Sequence, residues 1–367
     1  MPAATTPAEN HWLFPLAGKA PPSWPETERA LEPEACGQCH GEKYEEWRSS
    51  LHSKSFSPGV VGQLLAYEKS DTLSCMRCHA PLAEQYYAFL EARERGEGHR
   101  RQAQGLAGHG NMCAGCHVRK RRYFGPPERD SGETGPTPAE NPHGGVNRVG
   151  WFEDSAFCKT CHQFAMKYAV NGKPMLNTYR EWLESPYPAQ GVTCQSCHMP
   201  GRKHLWRGIH DPAMVAGGLD ARFTAGTKGA RFDLTSIGVG HAFPTYITPK
   251  VMMYAAALDG GGRPLPATAL SYTIHRTARR TQGQWEELKD TRLMPGETAT
   301  LTFAWPPSGR VRMWLEVDPD DDYADSFYDE VLAMLPEGSP EAALIHQAVA
   351  WGRGNRYRLF ETDVERP

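Results

Sequence analysis

Apolar residues follow a helical spacing in the first half of the chain. Segment 41–55 places Tyr44, Trp47 and Leu51 on one face of a helix, and segment 81–95 has a similar pattern. Connectors rich in glycine and proline separate such segments, and the longest spans 125–150. The pattern predicts short helices joined by long loops.

Beyond about residue 225, apolar and polar residues alternate as they do in strands. The segments with this pattern or with β-branched apolar runs are 250–257, 269–276, 297–305 and 310–317. Turns are predicted at 259–263 and 281–283. Short strands at this spacing predict a β-sandwich, although a barrel fits almost as well. Helical spacing returns at 323–335 and 340–351 and predicts a helical tail.

All ten cysteines belong to five Cys-x-x-Cys-His motifs, the attachment signature of c-type haem. Two thiols add across the vinyl groups of the haem, and the adjacent histidine becomes the proximal iron ligand. Zinc sites also use cysteine pairs, but they do not require a histidine directly after the second cysteine. Structural disulfides seldom join cysteines three residues apart. The predicted attachment residues are Cys36, Cys39, Cys75, Cys78, Cys113, Cys116, Cys158, Cys161, Cys194 and Cys197, and the predicted proximal ligands are His40, His79, His117, His162 and His198.

Five haems change the expected fold of the first half. The first half has only about 45 residues for each haem, which is too few for a conventional core. The porphyrins must therefore supply much of the buried apolar surface. We therefore predict an α+β protein. A loop-rich, mainly helical multihaem domain at 1–224 would be followed by a β-sandwich-like domain at 225–322 and a helical tail at 323–367.

Ten histidines lie outside the motifs, more than the five needed to give every iron a second axial ligand. Some stand beside a motif, and others stand beside glycines that allow close approach to a porphyrin. The candidate distal ligands are His52, His109, His143, His204, His210 and His241. Which histidine serves which iron stays open, as does the choice between full ligation and one five-coordinate haem.

Charge and hydropathy exclude some classes of protein. The net charge of −3 over 367 residues argues against a nucleic-acid-binding protein, which would be basic. The sequence has no apolar run long enough for a transmembrane helix. The first residues lack the pattern of a signal peptide. Because c-type haem is attached outside the cytoplasm, we expect a periplasmic or extracellular protein whose export signal has been removed.

An acidic loop near the end of the predicted β domain is a weaker candidate site. Asp318, Asp320, Asp321, Asp322 and Asp325 could bind calcium through their oxygens. Their spacing is not that of an EF-hand, so a solvated loop is the favoured interpretation.

Three segments carry a resemblance to a known family: Trp47-x-x-Ser50-x-His52, Gly191-Val192-Thr193-Cys194 and Gly240-His241-x-Phe243-Pro244-Thr245. They resemble the multihaem cytochrome c superfamily that includes the tetrahaem electron acceptors of hydroxylamine oxidation. Similar patterns occur in extracellular cytochromes that form filaments. The resemblance implies that His52 and His241 are distal ligands. The chain departs from the tetrahaem pattern by having five sites.

Together these features favour electron transfer along mostly bis-histidine haems, with other redox proteins as donor and acceptor. Two alternatives stay open. One is a multihaem oxidoreductase with an open haem that acts on a small nitrogen or sulfur compound. The other is a self-assembling filament subunit, in which a histidine such as His11 reaches the iron of a neighbouring copy.

Overall fold

A computed structural model of the protein describes residues 15–128, 142–281 and 284–367. The chain forms two compact units. Unit 1 comprises the described parts of Met1–Cys161 together with Val192–Trp206 and Glu330–Ala348, and unit 2 comprises those of His162–Gly191, Arg207–Asp329 and Val349–Pro367. The predicted division at 224 and 322 remains a prediction.

Short helices make up most of the regular structure of unit 1. In chain order the α-helices of the described residues are α1 (Glu26–Arg29), α2 (Pro33–Gly37), α3 (Gly41–Arg48), α4 (Pro58–Ala66), α5 (Lys69–His79), α6 (Ala83–Glu94), α7 (Cys113–His117), α8 (Ala156–His162), α9 (Thr178–Leu183), α10 (Cys194–His198), α11 (Pro212–Gly218), α12 (Tyr328–Leu332) and α13 (Pro340–Arg353). A π-helical turn at Tyr323–Phe327 precedes α12. Within the described ranges, no helix has the length and apolar character needed to cross a membrane.

Strands form small sheets in unit 1 and larger ones in unit 2. They are β1 (Val118–Arg119), β2 (Arg122–Gly125), β3 (Val146–Arg148), β4 (Ala169–Val170), β5 (Lys173–Pro174), β6 (Leu219–Ala225), β7 (Gly229–Ser236), β8 (Lys250–Ala257), β9 (Leu270–Ile274), β10 (Arg276–Thr281), β11 (Gln284–Asp290), β12 (Thr298–Ala304), β13 (Arg310–Asp318) and β14 (Tyr357–Glu365).

A β-sandwich dominates unit 2. One sheet has the order β12-β7-β6 and the other the order β14-β13-β8-β9, with antiparallel pairing throughout. Alternate residues of both sheets share one core, in which Phe232, Met253 and Leu315 are fully buried. Two packed sheets with inward apolar residues are the arrangement that the alternating segments predicted.

The predicted strands agree closely with the structure, whereas the predicted tail is partly wrong. Strand β8 has the predicted bounds, and β9, β12 and β13 differ from theirs by at most two residues at either end. The tail contains the predicted helices but ends in β14, which pairs with β13. Of the predicted turns, 259–263 joins β8 to the segment before β9, while 282–283 lies outside the described residues.

Unit 1 has small apolar clusters in place of one large core. One surrounds Trp47, Leu82 and Met112, and another surrounds Phe56 and Phe89. The prediction of a helix over 41–55 is correct only as far as Arg48, where α3 ends. His52 therefore lies in the turns after the helix. The α+β prediction is confirmed by the mixture of helices and sheets.

Candidate haem-binding sites

The motifs lie on short helices, and a helix that contains a whole motif places the cysteines and the histidine of that motif on one face. The second to fifth motifs fall within α5, α7, α8 and α10, and the first begins in the last turn of α2. Residues three and four apart on a helix are neighbours on one face. Each helical motif can therefore present both thiols and the histidine to a single porphyrin. None of the ten cysteines is paired in a disulfide, and all of them belong to unit 1.

In the described ranges, the ligand atoms of three or more residues come close enough to hold a metal ion in one place, and that group consists of Asp318, Asp321 and Asp325. A structural zinc site needs four convergent nitrogen or sulfur ligands.

Two proximal histidines are held in the tautomer that a metal ligand needs. Nδ1 of His79 lies 2.7 Å from the carbonyl oxygen of Ser55, and Nδ1 of His117 lies 2.7 Å from that of Phe124. A carbonyl oxygen only accepts, so Nδ1 carries the proton and Nε2 keeps its lone pair. Burial lowers the pKa of His79 and lowers that of His117 to about 4, so both rings are neutral near pH 7.

Two distal candidates lie at a distance from proximal histidines that would accommodate one iron between the rings. The ring centroids of His40 and His143 are 6.3 Å apart, and those of His117 and His204 are 6.1 Å apart. An imidazole nitrogen lies about 2 Å from a first-row metal ion, so two rings on opposite sides of one ion have centres roughly 6 Å apart. Both pairs, each within unit 1, fit a bis-histidine haem.

Neighbouring groups fix the orientation of these rings. Tyr123 stacks on His143 at 4.3 Å between centroids, and Phe152 stacks on His117 at 4.9 Å with an interplanar angle of 9°. The backbone N–H of His204 donates to Glu46 at 2.9 Å, and Nδ1 of His204 lies 3.1 Å from the carbonyl oxygen of Arg202. Burial lowers the pKa of both His143 and His204. Like the proximal pair, these rings are held neutral.

His241 has the same tautomer signal, in unit 2. Its Nδ1 lies 2.9 Å from the carbonyl oxygen of Ala242. The side chains of Thr245 and Thr178 are hydrogen-bonded at 2.7 Å, which ties the His241 loop to α9. Gln163, next to the fourth proximal histidine, accepts from the backbone N–H of Arg180 in the same helix at 3.0 Å. Helix α9 thus holds both the His241 loop and the residue after His162.

His52 and His109 lie in adjoining segments of unit 1. The carbonyl oxygen of His52 accepts from the N–H of Asn111 at 2.9 Å, and the ring of His52 lies 4.6 Å from Trp206 between centroids. Nε2 of His109 lies 3.7 Å from a carboxylate oxygen of Glu34. Their roles as ligands remain predictions.

His210 differs from His241, because it is hydrogen-bonded through Nε2 and not through Nδ1. Its Nε2 lies 2.9 Å from an oxygen of Asp320, which also accepts from Asn355 at 2.9 Å, and its ring packs against Trp351. The nitrogen that most histidine ligands offer to iron is engaged by a carboxylate. A hydrogen-bonding role fits this geometry better than the predicted ligation, which stays untested.

The acidic loop is already surrounded by cationic side chains. Asp318 lies 2.5 Å from Nε of Arg356, and Asp321 lies 2.6 Å from Nζ of Lys250. Asp325 forms ion pairs with Arg353 and Arg356. These ion pairs fit the solvated-loop interpretation, and calcium binding stays a prediction.

Thiols of different motifs lie side by side within unit 1. The side chain of Cys36 is a neighbour of that of Cys113, Cys78 is a neighbour of Cys161, and Cys158 is a neighbour of Cys194. The attachment points of motifs one and three, two and four, and four and five are therefore neighbours.

Sequence reasoning missed the groups that hold the histidines. Glu46 accepts from the backbone N–H of His204, and Glu181 accepts from that of Ala242, the residue after His241, but neither glutamate belongs to a motif. Their one sequence signal is an acidic residue on a short helix close to a tryptophan, Trp47 or Trp182, and that pattern is too common to be diagnostic.

Comparison with known proteins identifies a solved structure with a similar fold. No family model matches the chain, and no curated protein matches it. Among solved structures, the chain is similar to the crystal structure of a penta-heme cytochrome c552 from Thermochromatium tepidum, with a TM-score of 0.59 and 19% sequence identity. The match covers 92% of this chain and 99% of that one. The relation to cytochromes of hydroxylamine oxidation remains a prediction, while the similarity shows that this chain has the fold of a pentahaem cytochrome c.

Proposed function

We propose that the protein transfers electrons through five covalently bound c-type haems, most of them ligated by two histidines. The observation that carries the proposal is the spacing of His40 from His143 and of His117 from His204. In each pair, the centres of two imidazole rings lie at the separation that one iron between them requires. The solved structure with the same fold, a penta-heme cytochrome, supports the haem number.

Haem iron supplies reversible one-electron chemistry, and its second axial ligand decides whether a substrate can bind. His143 and His204 would close the first and third sites against small molecules. We assign His241 to the fourth site as its second axial ligand, because α9 holds both the His241 loop and Gln163, the residue after His162. Burial lowers the pKa of His143 and of His204, which favours the neutral form that a ligand must have.

The thiol contacts suggest the order of the sites. Motif one adjoins motif three through Cys36 and Cys113, and motif four adjoins motifs two and five. Cys116 of motif three also lies near Cys158 of motif four. We infer a path from site one through three to four, with sites two and five joining at four.

The proposal includes a location and partners. Covalent attachment of haem c takes place outside the cytoplasm, so we propose a periplasmic or extracellular protein. Electron donors and acceptors would be other redox proteins.

Ligand binding and electrochemistry test this function together. We expect the fully reduced protein to be reoxidised by an electrode or a redox protein, and to bind carbon monoxide or nitrite only weakly, because an axial imidazole would have to leave first. The measurement is carbon monoxide titration of the ferrous protein followed by absorption, alongside film voltammetry. The matched control is the His143→Ala variant, which should bind one carbon monoxide per chain.

One result would replace this function with the enzyme alternative. Stoichiometric carbon monoxide binding to the unmodified protein, together with steady turnover of nitrite, hydroxylamine or tetrathionate, would show that one haem is open to substrate.

A further inference from the structure

We propose that the buried ion pair of Glu181 and Arg292 positions His241 for the iron. The inference rests on the proposed function, in which His241 is a distal ligand, and it adds the groups that hold that ligand in place. All the residues involved belong to unit 2.

The pair is almost completely removed from water. The side chains of Arg292 and Glu181 are 3% and 4% exposed, and Nη1 of Arg292 lies 3.0 Å from Oε1 of Glu181. Asp290 accepts two further hydrogen bonds from the same guanidinium, at 2.9 and 3.0 Å. Burial alone would lower the pKa of Arg292, but these bonds and the charge of Glu181 raise it overall. Arg292 is therefore a charged anchor with a fixed geometry.

The ion pair also contacts the loop that follows His241, at Ala242 and at Thr245. Oε2 of Glu181 accepts from the backbone N–H of Ala242 at 3.3 Å and from the hydroxyl of Thr245 at 3.4 Å. Nη1 of Arg292 also donates to the carbonyl oxygen of Thr245 at 3.3 Å. One carboxylate and one guanidinium thus restrain residues 242–245.

Ala242 connects this restraint to the imidazole. Its carbonyl oxygen accepts from Nδ1–H of His241, while its N–H donates to Glu181. Ala242 is fully buried, so water has little access to replace either bond. If Glu181 is removed, the residue that sets the direction of the His241 ring loses its own anchor. The ring should then compete less well with an external ligand for the same iron.

The test uses the complete haem-loaded protein and the Glu181→Gln variant. Glutamine keeps the shape but offers one carbonyl oxygen where the carboxylate offered two acceptors, so one buried donor loses its partner. At a fixed, subsaturating concentration of carbon monoxide, we expect the fraction of one ferrous haem that binds to rise on the order of tenfold. A redox titration should show one midpoint potential shifted and the other four unchanged.

A matched control separates positioning from general stability. Glu287 is also a buried carboxylate of unit 2 paired with a buried arginine, Arg276, at 2.7 Å, and it also contacts Asn171 and Lys173. Glu287→Gln should lower the thermal stability of unit 2 without changing carbon monoxide binding. Thr245→Val, a milder change to the same loop, should raise binding about threefold.

The outcomes distinguish this inference from the proposed function. If His241→Ala leaves both the spectrum and carbon monoxide binding unchanged, the assigned ligand is wrong. If His241→Ala opens one haem while Glu181→Gln and Thr245→Val act no more strongly than Glu287→Gln, the pair is merely structural and this inference alone is overturned. If Glu181→Gln does not fold, Thr245→Val decides between the two.

Discussion

At the scale of single residues, the histidines differ in the hydrogen bonds of their ring nitrogens. Nδ1 faces a backbone carbonyl oxygen in each of His79, His117, His204 and His241. A hydrogen bond of this kind at one nitrogen is the one that orients a histidine whose other nitrogen binds a metal. In His275 both nitrogens are hydrogen-bonded, to Ile247 and Thr277, and this geometry is unsuited to iron. These hydrogen bonds depend on the fold, so the sequence alone could not show them.

We expect His143→Ala to convert one low-spin haem to high spin. The ring that faces His40 at 6.3 Å between centroids is then missing, and no covalent attachment is affected. Electron paramagnetic resonance of the ferric protein measures the change, with haem content checked by pyridine haemochrome.

His210→Ala is the control for this experiment, because Nε2 of His210 is bonded to Asp320. It should leave every haem low-spin. A high-spin signal in His210→Ala with none in His143→Ala would reverse the two assignments.

At the scale of elements, alternation and β-branched runs predicted β8, β9, β12 and β13 but missed β6, β7 and β14. Strands β8 and β13 bury nearly every second residue, so their pattern is strong. Strand β14 has one buried position, Val364, and many charged residues because it lies at an edge. Strand β14 forms by pairing with β13, and such a tertiary contact cannot be predicted from the local sequence.

A glycine shows how closely two elements of unit 1 approach. A Cβ atom at Gly110 would lie 2.6 Å from the carbonyl oxygen of His52 and 2.5 Å from Oγ of Ser55. We expect Gly110→Ala to destabilise the folded protein by about 1–3 kcal/mol, because the backbone must shift to admit the methyl group. Thermal or denaturant unfolding of the haem-loaded protein measures the loss.

Gly150→Ala provides the comparison, because a Cβ atom there has no heavy atom within 4 Å and the backbone is not left-handed. It should change stability far less. Equal effects of the two substitutions would mean that the His52 turn does not pack tightly against residue 110.

At the scale of the whole molecule, the sequence identified the chemistry but not the pairing of its parts. Five motifs predict five haems because each carries its own thiols and proximal histidine within five residues. The proposed partner of His40 is His143, which comes after a long loop, and the proposed partner of His117 is His204, which comes after two further motifs. Such contacts depend on the path of the backbone, so spacing along the chain could not assign them.

The haem number itself is the most direct test at this scale. Because every motif retains both cysteines and its histidine, the mature chain should exceed the mass of its polypeptide by about five haems, on the order of 3 kDa. Intact-mass spectrometry after acid–acetone extraction measures this excess, since thioether-bound haem resists extraction. Replacing Cys194 and Cys197 together by serine should remove one haem and leave four, because the remaining motifs keep all their attachment residues. An excess of four haems in the unmodified chain, or a mass that falls to the bare polypeptide on extraction, would contradict covalent attachment at every motif.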